Sequence, residues 1–401
     1  MFSNDSTLNW EYWHSRVQEG QHDLSLLSRK IIYNIRPDIF EQLPFEDDAI
    51  FLEPLFFSAF ASPAPREEIE SLAVRYFHNQ HAPFKFTVKP NADGMVVIPE
   101  IGSQYAAKNS LCLQSVGADE KQQPTITESI DTDILSFATE PKTADHKFSI
   151  YNDIHYLLYP LFKFVDGTVG SISKKNLAGI KHLALVERSL KHISIAYPDY
   201  YAALTCVTRG FMIFRQPRMN SFSSESAHGI SFLSVPDFVS IPYFVEDIAH
   251  QCGHIVFSSI FFRPEELLAL PSETPISSYN QNPDDNRSLY VVFHAVFTEH
   301  LIATCLLSLY GSPECSDEEN DEIIGRLAFI MKKYHRDLDS LGKVPERTEN
   351  GEMMYNELES SYRNLHSKCA RLIKNVNLTE QPYNFDFIQY KKANLSSHIY
   401  V

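Results

Sequence analysis

Residues 287–310 run Arg-Ser-Leu-Tyr-Val-Val-Phe-His-Ala-Val-Phe-Thr-Glu-His-Leu-Ile-Ala-Thr-Cys-Leu-Leu-Ser-Leu-Tyr, with His294, Glu299 and His300 as interruptions. Every stripe of a helix drawn through them is apolar: Val291, Phe297, Thr298 and Leu301 flank His294, while Val292, Ala295, Ile302 and Ala303 flank Glu299. Such a helix has to be covered on all sides. No uncharged apolar stretch reaches the roughly 18 residues that span a bilayer, so the cover is expected to be protein. A chain of 401 residues can supply it, as one large domain or two packed lobes.

The expected architecture is α+β and mainly helical, with a zincin-like metal helix beside a small antiparallel sheet. Three consecutive regions are expected: an N-terminal helical lobe (1–115) for substrate recognition, a polar loop or linker (116–147), and a metal-binding catalytic-type domain (148–401). Within the last, 154–165 and 177–197 carry helical patterning. Residues 211–214 and 229–235 read as short strands. The acidic run 317–322 reads as a loop before helices at 323–342 and 352–375.

Between the second strand and the apolar helix lies Phe244-Val-Glu-Asp-Ile-Ala-His-Gln-Cys-Gly-His254. Helical residues four apart share a face, so His250 and His254 can offer two imidazole nitrogens to one ion, at about 2.0–2.1 Å each. Ser240 is the expected cap, Pro242 suits the first turn, and Glu246 and Asp247 complement the N-terminal dipole. Arg263-Pro264 supplies a stop. Gly253 inside the helix implies a close neighbour. Glu246, one turn before His250, is placed to orient it as a supporting carboxylate.

A third donor is sought on the apolar helix, among His294, Glu299 and His300. At roughly 100° per residue, Glu299 is rotated about 140° from His294 and His300 about 120°, so no more than one serves. Glu299 would complete a two-His-one-carboxylate set suited to Fe(II), and His294 a three-His set. Position 251 narrows the chemistry. In zinc peptidases written H-E-x-x-H the Glu takes a proton from the metal-bound water. Gln251 is an amide and cannot, which disfavours peptide hydrolysis through that residue.

The stretch 229–310 resembles the HExxH-motif domain of α-ketoglutarate-dependent peptide β-hydroxylases from ribosomal peptide modification pathways. The matching pieces are Gly229-Ile-Ser-Phe-Leu-Ser-Val-Pro236, then Val245-Glu-Asp-Ile-Ala-His-Gln-Cys-Gly-His254, a Pro- and Ser-rich loop, and Asn286-Arg-Ser-Leu-Tyr-Val-Val-Phe-His-Ala-Val-Phe297. Gln251 departs from the motif's Glu. The resemblance implies His294 as third ligand in preference to Glu299, and Arg287 as the fork for the distal carboxylate of α-ketoglutarate, with Arg215 an alternative arginine. Gln251 and Glu246 are the remaining candidate catalytic positions. The implied activity is hydroxylation of a precursor-peptide side chain, at the β-carbon, by Fe(II), α-ketoglutarate and O₂. Two rivals stand beside it. One is a zinc hydrolase using Glu246 or Glu299 as base; the other is a non-catalytic peptide-binding relic.

The formal net charge of −16 argues against nucleic acid or an anionic membrane surface as partner, and leaves a peptide acceptable. The first ten residues lack a basic start and an apolar run, and the six cysteines form no CxxC or disulfide-framework pattern, so a reducing cytoplasm is the expected setting. The sequence leaves the oligomeric state open.

Overall fold

A computed structural model describes residues 8–79, 84–106, 110–118, 124–128, 137–379 and 381–394. Its helices are α1 Trp10–Ile35, α2 Pro37–Phe40, α3 Asp48–Phe51, α4 Pro54–Phe60, α5 Pro65–Asn79, α6 Gly179–Ala196, α7 Pro198–Val207, α8 Ile241–Ile260, α9 Ser277–Asn280, α10 Leu289–Leu309, α11 Asp317–Gly342, α12 Glu349–Ile373 and α13 Phe387–Asn394. The strands are β1 Lys85–Val88, β2 Met95–Ile98, β3 Gly102–Tyr105, β4 Leu111–Ala118, β5 Pro124–Glu128, β6 Ser149–Ile150, β7 Gly210–Phe214, β8 Phe222–Ser223 and β9 Ile230–Ser234. Helices outweigh strands, as the sequence implies.

The chain divides into two units that are not consecutive. One comprises Met1–Gly20, Ala184–Val207 and Phe238–Val401; the other comprises Gln21–Leu183 and Thr208–Asp237. This replaces the expected split at 116–147. The cause is strand pairing. β7 and β9 complete a four-stranded sheet ordered β6-β7-β9-β8, so residues 208–237 belong with the earlier part of the chain.

That sheet is mixed, not antiparallel. β7 pairs in parallel with β6 and, from Gly210↔Ile230 to Phe214↔Ser234, with β9; only β8 runs antiparallel to β9. β7 is buried along its whole length, which is why it reads as an unbroken apolar run instead of an alternating one. The other antiparallel pairs are in β1-β4-β5 and β2-β3.

Three local expectations are revised. The polar stretch 116–147 includes β5, paired with β4, while its residues 119–123 and 129–136 lie outside the described residues. Residues 154–165 form only a 3₁₀ turn at Tyr156–Leu161, with Pro160 inside it. The acidic run 317–322 is not a loop but the first turns of α11. Ser316 and Glu319 close a capping box there, and Asp317, Glu318 and Glu319 favour the dipole.

In the first unit α10 is the central helix, packed by α8, α11 and α12. It is long and apolar enough to cross a membrane by composition, yet 72% of that window is buried inside the protein. Ser288 caps it, accepting from Val291 N. α8 starts where expected: Ser240 accepts from Tyr243 N at 3.1 Å, with Pro242 in the first turn. The close neighbour demanded by Gly253 is α10. A Cβ at position 253 would sit 2.8 Å from Leu301 Cδ1 and 3.1 Å from Thr298 Cγ2. The glycine lets the two backbones approach, and that approach sets the distance between their histidines.

Candidate metal centre

His250 and His254 occupy adjacent turns of α8, with ring centroids 4.7 Å apart. His294, from α10, meets His254 edge-on at 4.3 Å and 89°. Phe257 stacks on the His294 ring at 4.7 Å, and Tyr290 meets it edge-on at 5.7 Å. All three imidazoles are half-buried. Burial pushes His250 down to about 3 and His294 to about 4, and holds His254 well below the usual imidazole value. All three are therefore neutral near pH 7, the form that ligates.

The proton positions follow from the hydrogen bonds. His294 Nε2 lies 2.9 Å from the backbone carbonyl of His254. A carbonyl only accepts, so Nε2 carries the proton and Nδ1 keeps its lone pair. Metal-ligating histidines are anchored in this way, by one N–H on a carbonyl or carboxylate. Among the described residues no group of three or more His, Cys, Asp or Glu side chains has the placement to hold a metal ion. The imidazoles stand side by side, and their chemistry fits a soft-to-borderline divalent ion better than Mg²⁺ or Ca²⁺.

Gln251 has a task that the missing-base argument did not anticipate. Its side chain is buried, and Nε2 lies 3.3 Å from His250 Nδ1. An amide nitrogen only donates, which puts the His250 proton on Nε2. Gln251 Oε1 is then left buried without a partner, a cost of about 1–3 kcal/mol. Turning the amide over exchanges the roles: Oε1 accepts from Nδ1–H, and His250 Nε2 keeps the lone pair for a ligand bond. The amide thus sets the tautomer of His250. Gln251→Leu is expected to lower transition-metal affinity by about 10- to 100-fold, and Gln251→Glu, which restores an acceptor, to leave most of it. Equilibrium metal titration of the two variants decides this; equal affinity in the Leu variant removes the role.

The other sequence candidates are engaged elsewhere. Glu246 does not support His250; its carboxylate pairs with Arg326 at 2.7 Å, and Arg326 also holds Glu322. Arg287 is not an open fork. Its guanidinium donates to Asp285 at 2.8 Å and to Asp337 at 2.7 and 3.0 Å. Arg215 is exposed, pairs with Asp237 and belongs to the second unit. Glu299 is buried with Oε2 unpartnered, and its charged neighbours are Asp337, Lys333, Arg336 and Arg287. Burial first, and the Asp337 charge second, hold it protonated, well above the usual carboxylate range. His300 has both ring nitrogens bonded, Nδ1 to Ser361 Oγ at 2.7 Å and Nε2 to Tyr197 OH at 2.9 Å. Of the three candidate third donors, the structure brings His294 alone against the pair on α8.

No protein-family model and no curated protein matches this chain.

Proposed function

We propose that His250, His254 and His294 hold one Fe(II) ion in a zincin-like setting. On this reading the chain is a cytoplasmic α-ketoglutarate-dependent oxygenase that hydroxylates a side chain, at the β-carbon, of a ribosomally made precursor peptide. One observation carries the choice of chemistry: three neutral imidazoles lie together, and of the two carboxylates named as bases Glu246 is ion-paired and Glu299 protonated. A zinc hydrolase needs a base to take a proton from water. Gln251 cannot be that base, Glu246 is neutralised by Arg326, and Glu299 already holds its proton. An oxygenase needs none of these groups as a base. Fe(II), when bound, supplies the activation of O₂ and an anchor for the keto acid.

The protein's own contributions are positional. The Gly253–α10 approach fixes the spacing of the histidines, the His254 carbonyl and Phe257 orient His294, and Gln251 sets the proton of His250. The overall reaction balances as peptide C–H, α-ketoglutarate and O₂ giving peptide C–OH, succinate and CO₂. Protein loaded anaerobically with Fe(II), then given α-ketoglutarate and peptide in air, should form succinate together with a product one oxygen atom heavier. Succinate no higher than in a His254→Ala control, with iron shown bound to the wild type, removes the oxygenase reading. The engaged state of Arg287 is what favours the alternative of a peptide-binding relic, for which no transition metal would be taken up on anaerobic addition.

A further inference from the structure

We infer that the second unit binds an α-amino acid, as its zwitterion, between Glu140, Tyr151 and Arg209. These residues all belong to that unit, share nothing with the histidine cluster, and need no metal for the inference to hold.

The backbone brings the three side chains together. Lys142 bridges Ser149 in antiparallel fashion, and Ile150 N donates to Pro141 O at 2.8 Å. That register sets Glu140 directly across from Tyr151, where opposed side chains share a face. On the other edge of β6, Ser149 N donates to Arg209 O and Tyr151 N to Phe211 O, each at 3.0 Å. The Tyr151 ring lies over Gly210, where a Cβ would sit 2.9 Å from Tyr151 Cε2. Tyr151 therefore stands between a carboxyl on one neighbouring segment and a guanidinium at the start of the other. The electrostatics agree with this placement. Glu140 acts on the Tyr151 phenol more strongly than any other charge, and Arg209 acts on Tyr151, Tyr76 and His228.

The three groups are uncommitted where their charged neighbours are paired. Arg75 is held by Glu53 and, at 2.7 Å, by Glu100, and Lys174 holds Asp153 at 2.8 Å. Among the described residues no hydrogen bond or ion pair reaches the Glu140 carboxyl, the Tyr151 hydroxyl or the Arg209 guanidinium. All three residues are half-buried, reachable by a ligand yet partly withdrawn from water, where unmet polar groups are costly. Burial first, then the charges of Glu53, Asp153 and Glu100 against that of Lys142, push Glu140 up to about 8. Its carboxyl keeps a proton near pH 7 until a cation joins it. Arg209 stays charged and suits a carboxylate, which a guanidinium meets with two parallel hydrogen bonds. An ammonium and a carboxylate on one carbon match both ends, and the Tyr151 hydroxyl is placed to bond between them. A plain anion would leave Glu140 unmet, and a plain amine would leave Arg209 unmet.

The test uses the full chain without added metal. The twenty standard amino acids are screened by thermal shift, and the one with the largest effect is titrated calorimetrically. Its N-acetyl derivative, which lacks the ammonium, and its amide, which lacks the carboxylate, are titrated beside it. Each derivative should bind about tenfold or more weakly than the amino acid. Binding near pH 7 should also release nearly one proton, read from the dependence of the heat on the ionisation enthalpy of the buffer, because the ammonium ionises Glu140. Glu140→Gln should weaken binding about tenfold and abolish the proton release. Arg209→Met should weaken binding to a similar degree and keep the proton release, a split that mere loss of structure would not produce. Unliganded thermal midpoints of both variants should stay close to wild type. An absence of binding by every amino acid overturns the assignment. So does a derivative that binds as tightly as its parent, or a Glu140→Gln protein that binds like wild type and still releases the proton.

Discussion

His254→Ala protein will lose transition-metal affinity by about two to three orders of magnitude, the largest effect expected from any single change in the centre. His254 is the middle ring of the three, within 4.7 Å of His250 and 4.3 Å of His294. On the proposed reading, removing it deletes one of three nitrogen donors. The fold should tolerate the change. The ring is half-buried, Ala is the best helix former, and the backbone carbonyl that anchors His294 stays in place. The thermal midpoint of the metal-free protein should therefore move little while metal content collapses. His300→Ala is the matched control. It removes one hydrogen bond each from Ser361 and Tyr197 in a buried network that continues from Tyr197 OH to Trp10 Nε1, so stability falls by about 1–3 kcal/mol. Its metal affinity should be that of wild type. Metal analysis after equilibrium dialysis distinguishes the two, and retention of metal by the His254 variant would falsify the centre as drawn.

What could be read from the sequence was whatever depends on spacing along one element. The start of α8 at Ser240, the pairing of His250 with His254 and the close approach at Gly253 follow from local periodicity and capping, and the structure has each; α10 is buried over most of its surface, with Val291 exposed. The choice of His294 came from the resemblance; helical geometry left Glu299 open, and only the packing of α10 between α8 and α11 separates their surroundings. Long-range pairing was not legible. The parallel register of β7 with β9 depends on the chain crossing over between them, and two apolar runs look alike whichever way they pair. The acidic run before Ile323 was read by charge alone, although Ser316 with Glu319 three residues later is a capping-box signal that would have placed it in α11. Arg287 after Asp284-Asp285 already had a carboxylate in reach, but Asp337 lies fifty residues on, and nothing local announces it.

The second large effect is on stability, and it lies in the ion-pair cluster where α10 meets α11. The Asp337 side chain is fully buried and accepts from Arg287 at 2.7 and 3.0 Å and from Arg336 Nε at 2.7 Å. Burial alone would raise its pKa, but the hydrogen bonds from the two arginines outweigh burial and hold it below the usual carboxylate value. Asp337→Ala removes this anion and leaves both arginines short of a partner, at a cost of about 3–5 kcal/mol. Adding Arg287→Met to that variant should recover part of the loss, because it removes a cation that is then poorly compensated. Arg287→Met alone should lower stability and leave α-ketoglutarate binding intact, the reverse of what a co-substrate fork would show. The neighbouring Glu299 acts with the opposite sign. Its folded pKa is raised, so above the ordinary glutamate value of about 4.3 the unfolded chain releases a proton that the folded protein keeps, and stability drops as pH rises. Asp337, with a depressed folded pKa, loses its contribution as pH falls below about 3.9. Glu299→Gln should therefore be more stable than wild type at neutral pH, with an advantage that shrinks towards pH 4, while Asp337→Ala is weakest near neutrality and approaches wild type only in acid. Denaturation midpoints of the three proteins between pH 2 and 8 test both signs at once. Parallel curves for Glu299→Gln and wild type would mean that Glu299 is ionised in the folded protein, with Lys333 and Arg336 as its counter-ions.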